Sequence, residues 1–255
     1  MFFNTNVPTP FYHLFLVNEL LSKPDLPDRV QSQLEPYRDV FSLGCVAPDV
    51  QTVSRQSRDA THFFKLPYQD GAIFPWERML ASHPSLARSS MLSPEQAAFI
   101  AGYLCHLQAD WLWILEIFIP IFGPAGEWES YPRRLCLHNV LRAYLDEQIL
   151  PSLPSGLGEE LAGIGIKSWL PFVEEQHLRA WRNILVEQLQ PAAPSRTVEI
   201  FASRDGISPD EFHRILGSEA LIEKEIFTQL PRQRLQTYLQ LICSANQRLL
   251  AAYLA

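Results

Sequence analysis

The sequence predicts an all-α protein, and two observations support this. Helix start signals recur along the chain, with Ser or Thr as the cap and Pro at the first helical position, at Thr9-Pro10, Ser93-Pro94 and Ser208-Pro209. No stretch alternates apolar and polar residues for long enough to indicate a strand, and residues 197–201 are only a weak candidate. We therefore expect a multi-helix bundle.

The helices are predicted one after another, with short polar or Pro-containing connections. The long helix that starts at Ser93 is expected to stop at Pro120, because proline cannot continue the hydrogen-bond ladder. A Pro- and Ala-rich stretch at 191–195 is the best candidate linker. It divides a core of residues 1–190 from C-terminal helices, 191–255, which we expect to pack on the same core. The predicted helices cover residues 10–21, 25–40, 76–86, 94–119, 133–150, 169–189, 209–230 and 232–255.

Composition narrows the class of protein. Of the 255 residues, 47% are hydrophobic and 19% charged, which is typical of a folded globular chain. The net charge of −7 argues against nucleic acid as the main partner, because phosphate contacts need clustered Lys and Arg. The four Cys are far apart in sequence, which favours free thiols in a reducing compartment. The N-terminus shows no signal peptide and no apolar run reaches the roughly 20 residues of a membrane span, so we expect a cytoplasmic protein.

His106 and Asp110 are the first candidates for a functional site. They are four residues apart in an apolar helix and therefore project from one face, one turn apart. A buried carboxylate needs a metal or a strong hydrogen-bond donor, and an imidazole and a carboxylate in this relation can hold one zinc ion. Taken singly, the pair is equally consistent with an ordinary i,i+4 hydrogen bond.

The order of four segments resembles the zinc-dependent phospholipase C family, whose fold is similar to that of the single-strand-specific zinc nucleases. The resemblance covers roughly residues 9–150. Each segment alone is a weak signal, and the four in order are specific. The segments are Thr-Pro-x-x-His13, Gly44-Cys-Val-Ala-Pro-Asp49, Thr61-His62-Phe63 and Gly102-Tyr-Leu-x-His106-x-x-x-Asp110.

The resemblance implies an all-helical protein with a cluster of up to three zinc ions. Asp49, His62, His106 and Asp110 are expected to hold one zinc, and Asp49 is also the expected general base. His13 is expected to bind a second zinc with Asp110 as the bridging ligand. The family completes this second site with a free N-terminal Trp; because this sequence starts with Met1 and shows no processing signal that would expose a Trp, we expect the second site to be weak or empty.

The third zinc site is expected to be incomplete. Glu116 stands where the family has a His, and Arg142 stands where it has a Glu, while His138 matches the pattern. Because Arg cannot bind zinc, Arg142 either grips a phosphate in place of the metal or pairs with a carboxylate such as Glu116. One to two zinc ions are therefore expected rather than three.

The resemblance implies a metal-dependent phosphoester hydrolase that uses a zinc-bound hydroxide on a phosphodiester, with phospholipid as the default substrate class. The alternative is a non-catalytic helical protein with one structural zinc, since four protein ligands can fill the tetrahedron and leave no open position. A metal-free helical interaction module is a third possibility, which requires every match to be accidental.

Overall fold

The protein is all-α in the computed structural model. The structure describes residues 7–65, 73–124, 126, 128–190 and 209–255, and these contain helices and no strand. The candidate strand at 197–201 and the linker at 191–195 lie outside the described residues. In chain order the α-helices are α1 Pro10–Leu21, α2 Asp28–Leu34, α3 Arg38–Gly44, α4 Gln51–Ser54, α5 Arg58–His62, α6 Pro75–Ser82, α7 Pro94–Trp113, α8 Ile119–Phe122, α9 Tyr131–Ile149, α10 Leu157–Gly163, α11 Glu175–Gln188, α12 Pro209–Leu216, α13 Glu219–Ile222 and α14 Arg232–Tyr253.

Two predicted helix starts are confirmed in atomic detail. The Thr9 hydroxyl accepts a hydrogen bond from the Tyr12 amide, and the Ser93 hydroxyl accepts one from the Gln96 amide. In each case proline follows the cap, where its missing N–H costs nothing because the first helical amides have no partner inside the helix.

The single helix predicted over 25–40 is wrong. The chain instead forms α2, a 3₁₀ turn over Glu35–Tyr37 and then α3. Pro36 lies in this turn, where its lack of an amide hydrogen interrupts the α-helical ladder. The helix predicted over 169–189 is also too long, since α11 begins only at Glu175.

The long central helix does not stop at Pro120 as predicted. A π-helical turn over Ile114–Phe118 joins α7 to α8, and proline is the second residue of α8. Proline at 120 has no N–H for the carbonyl of Glu116, four residues earlier. The Arg234 Nε of α14 donates to that carbonyl at 2.6 Å, so the helix continues without an unsatisfied acceptor.

Helix α7 is the centre of the molecule. The run Pro94–Phe122 is long and apolar enough to cross a membrane by length and composition, but 67% of its most apolar window is buried inside the protein, as in the core helix of a soluble domain. Helices α3 and α14 pack along it, and the Tyr238 hydroxyl of α14 donates to the Ala109 carbonyl. The buried amide of Gln108 donates to Asn246, also on α14.

Candidate metal centre

A close contact between α3 and α7 places the first two candidate residues. A Cβ added to Gly102 would lie 2.2 Å from the Phe41 carbonyl oxygen, and one added to Gly44 would lie 2.1 Å from the Phe99 carbonyl oxygen. Only glycine permits the two helix backbones to touch in this way. As a result His106 reaches the end of α3, where its Nδ1–H donates to the Cys45 carbonyl at 2.8 Å.

His62 is oriented by the residue before it. The Thr61 hydroxyl lies 3.3 Å from the Arg58 carbonyl, to which it donates, and 2.9 Å from Nδ1 of His62. Since the hydroxyl hydrogen is used on the carbonyl, Thr61 accepts from Nδ1–H of the imidazole. The Tyr103 hydroxyl of α7 donates to the Thr61 carbonyl at 2.6 Å and holds this segment against the central helix.

Both imidazoles therefore use Nδ1 on a neighbouring oxygen and direct Nε2 to the same point. The two Nε2 atoms, of His62 and His106, are 3.3 Å apart. Two lone pairs at this distance repel each other unless a proton or a metal ion lies between them. Hydrogen bonds that fix the tautomer of an imidazole in this way are the usual support of a metal ligand.

The surrounding carboxylates give this point the dimensions of a zinc site. Nε2 of His62 lies 3.5 Å from Asp49 Oδ1 and 3.5 Å from Asp110 Oδ2, and Nε2 of His106 also lies 3.5 Å from Asp110 Oδ2. Ligand atoms about 2.0–2.2 Å from a tetrahedral zinc are about 3.3–3.6 Å from one another. Four of the six distances among these ligand atoms thus match a zinc ion, Asp49 and His106 lie within 4.8 Å of each other, and all four side chains are almost completely buried.

The electrostatics of the cluster favour a bound cation. Burial would raise the pKa of Asp110, but His106 and Arg58 outweigh it and hold this pKa well below its usual range. Burial would likewise raise the pKa of Asp49, but the His62 and His106 imidazoles beside the carboxylate outweigh burial and lower this pKa. Burial and Arg58 lower the pKa of His62 to about 4, so this imidazole is neutral at pH 7, as a metal ligand must be.

His13 of α1 joins the cluster from the other side of Asp110. Its Nε2 is 3.1 Å from Asp110 Oδ1, and its ring stacks on that of His106 with centroids 3.8 Å apart. Burial and then the charge of His106 lower the pKa of His13. Asp110 therefore has one oxygen toward the four-residue site and the other toward His13, the arrangement expected of a bridging ligand.

Within the described residues, neither His138 nor Glu116 belongs to a group of side chains close enough to hold a metal ion. His138 is buried on α9, and its Nε2 accepts a hydrogen bond from the Trp113 indole at 3.1 Å. Burial and then the nearby Arg142 hold the pKa of His138 well below its usual value. The expected roles of His138 and Glu116 as weak metal ligands therefore stay a prediction.

Arg142, the expected phosphate-binding residue, lies on the same helix as His138. This side chain is buried, and its Nη1 donates to the Asn139 amide oxygen one turn earlier on α9 at 2.8 Å. Glu116 lies in the π-helical turn after α7, where its carbonyl accepts from Arg234. The expected role of Arg142 in substrate binding stays a prediction.

Arg58 is the residue that the sequence pattern missed. Its Nη2 donates to Asp110 Oδ2 at 2.5 Å, and its guanidinium lies over the Phe64 ring, 5.1 Å from the centroid. It lies four residues before His62 on α5, so the i,i+4 spacing was the available signal. The four segments that carry the family resemblance do not include it.

Comparison with known proteins agrees with the geometry. Residues 12–113 match the family model of zinc dependent phospholipase C, about two fifths of the chain. Every member of the cluster lies within this range, and the described structure is all-α. No curated protein and no solved structure matches the chain. The match over residues 12–113, together with the cluster of His and Asp, supports the zinc-dependent phospholipase C family.

Proposed function

We propose that this protein is a zinc-dependent phosphoester hydrolase that acts on phosphodiesters, with phospholipid as the first substrate class to test. The observation that carries the proposal is the set of four distances of 3.3–3.5 Å that link His62 to Asp49, Asp110 and His106, and His106 to Asp110. When bound, zinc lowers the pKa of a coordinated water to about 7 and polarises a phosphoryl oxygen.

Asp49 is the proposed general base. It lies in a 3₁₀ turn over Ala47–Val50, and its side chain keeps 9% of its surface exposed, whereas those of His62, His106 and Asp110 are fully buried. Its lowered pKa keeps the carboxylate ionised at neutral pH, so it can accept a proton from water. Substrate is expected to enter on this side of the cluster.

A structural zinc site is the second candidate. Four protein ligands can complete a tetrahedron around one ion, and three of the four side chains are fully buried here, which favours a closed site. In that case the metal stabilises the contacts among α3, α5 and α7 and performs no chemistry.

The two candidates are separated by zinc content and hydrolysis measured on the same preparation. The hydrolase is supported by zinc in the purified protein, by release of p-nitrophenol from a chromogenic phosphocholine ester, and by loss of this activity in Asp110→Asn. One zinc per chain without hydrolysis of this ester or of a simple phosphodiester supports the structural site. Protein that holds no zinc and takes none up on dialysis contradicts both.

A further inference from the structure

Arg58 occupies an unusual position for a buried arginine. It is 11% exposed, and it pairs through Nη2 with a carboxylate that is fully buried and also faces three imidazoles. Within the part of the chain that the structure describes, its Nη1 is buried and has no hydrogen-bond partner. A buried donor without a partner is costly, so an unpaired N–H here calls for an explanation.

The unpaired amino group lies beside the proposed metal site. Nη1 and Nη2 are bonded to one carbon of a rigid plane, so Nη1 is held next to Asp110 and cannot turn away independently. The Phe64 ring under the guanidinium restricts its motion further. Arg58 and Asp49 are also the cluster members with the largest solvent-exposed fractions, 11% and 9%, so they border the side from which a ligand can enter.

Charge balance indicates what Nη1 binds. Asp49 and Asp110 together neutralise one divalent cation, and Arg58 adds a single positive charge. Together the two carboxylates, the bound cation and Arg58 carry one net positive charge. A phosphodiester carries one negative charge, so it balances this site. Arginine is well suited to phosphoryl oxygens because its N–H groups form strong charge-assisted hydrogen bonds.

We propose that Arg58 serves as the second cation of this centre, pairing with Asp110 through Nη2 and binding a phosphoryl oxygen of a monoanionic phosphodiester through Nη1. This proposal rests on the proposed function. Asp110 Oδ2 has two lone pairs, so it can bind a metal ion and accept the Arg58 hydrogen bond together. Arg58 is thus a substrate-positioning residue and not a metal ligand.

The test compares Arg58→Gln with the wild-type protein in two titrations. One measures zinc affinity by competition with a chelator, and the other measures binding of dimethyl phosphate, a monoanionic diester, to the zinc-loaded protein. Dimethyl phosphate is expected to bind at least about tenfold more weakly to the variant, because a charge-assisted hydrogen bond is lost. Zinc is expected to bind at least as tightly, because a positive charge next to the metal site has been removed.

Matched variants separate this role from a structural one. Arg55→Gln removes the same charge at an exposed residue three positions away and should change neither affinity. Arg58→Lys keeps the charge without the planar fork and should recover part of the diester binding. If Arg58→Gln does not fold, Arg58→Lys is compared with the wild-type protein instead. Weaker diester binding at unchanged zinc affinity in Arg58→Lys then supports the proposal.

Two results overturn the inference. Unchanged diester affinity in Arg58→Gln shows that Nη1 binds no phosphoryl oxygen. Parallel weakening of zinc and diester shows that Arg58 acts only by orienting Asp110. If the wild-type protein binds zinc and hydrolyses phosphodiesters, either result for the variant leaves the proposed function standing. Wild-type protein that binds no zinc refutes the proposed function itself.

Discussion

Replacement of Gly102 by Ala tests whether the contact between α3 and α7 builds the metal centre. The added methyl would lie 2.2 Å from the Phe41 carbonyl oxygen and 2.9 Å from the Cys45 amide nitrogen. Ordinary contacts of this kind are about 3.4 Å, so the two backbones must separate by about 1 Å. Overpacking of a tight core costs about 1–3 kcal/mol, and both close atoms here belong to rigid backbone, so we expect a loss of about 3 kcal/mol.

The same displacement should reach the site. Cys45 supplies the carbonyl that accepts from Nδ1–H of His106, and moving it away weakens the support of that ligand. Chemical denaturation gives the stability change, and a loss of about 3 kcal/mol corresponds to a Tm decrease of about 6–12 °C for a chain of this size. Zinc affinity of the folded variant is expected to fall by about tenfold or more.

Gly163→Ala provides the control. A Cβ at this exposed residue, the last of α10, would meet nothing within 4 Å, so stability should stay the same or rise by up to about 1 kcal/mol. Gly102→Ala with stability within about 0.5 kcal/mol of wild type and unchanged zinc affinity would refute the argument that this contact positions the ligands.

Three other predictions follow from the same contacts. Asp110→Asn should lower zinc content to near zero and, because it leaves a buried arginine uncompensated, reduce the free energy of unfolding by about 3 kcal/mol; zinc analysis and thermal melts measure both. Thr61→Val should weaken zinc binding by about 10–100-fold in a chelator competition, whereas Thr237→Val, which removes an exposed hydroxyl bond, should not. His138→Gln should leave zinc content unchanged. The pKa of His138 is held far below its usual value, so the unfolded chain takes up a proton below pH of about 6.5 that the folded chain does not, and wild-type stability falls with pH there. Without His138, the free energy of unfolding should depend less steeply on pH in this range, by up to about 1.4 kcal/mol per pH unit. Urea unfolding of both proteins at pH 7.5 and 5.5 measures the difference.

The parts of the fold that were predictable depend on local sequence. Thr9 and Ser93 cap the helices that follow them because the cap, the proline and the first amides are within four residues of one another. The π-helical turn at Ile114–Phe118 was not predictable, because the donor that satisfies its free carbonyl is Arg234, more than a hundred residues later. A proline signal alone therefore predicted a helix end that tertiary structure removed.

The same distinction applies to the site. His13, Asp49, His62, His106 and Asp110 were expected from their order in the chain, and the structure brings all five together. The missed residue, at position 58, was marked in sequence only by its helical spacing from a proposed ligand.

The expected third site depended on positions carried over from the family pattern. In the structure the Trp113 indole donates to a ring nitrogen of His138, and Arg142 donates to the Asn139 amide oxygen. Which of several buried polar side chains meet is decided by how the helices pack, and the order of residues in the chain does not contain that information.

The central claim is that the buried cluster around Asp110 holds zinc, and metal analysis of protein purified without added zinc tests it most directly. We expect one zinc per chain, or at most two if His13 and Asp110 hold a second ion, with Asp110→Asn measured beside it as the metal-free reference. Wild-type protein that contains no more zinc than this variant, and that takes up none on dialysis against zinc, would contradict the account.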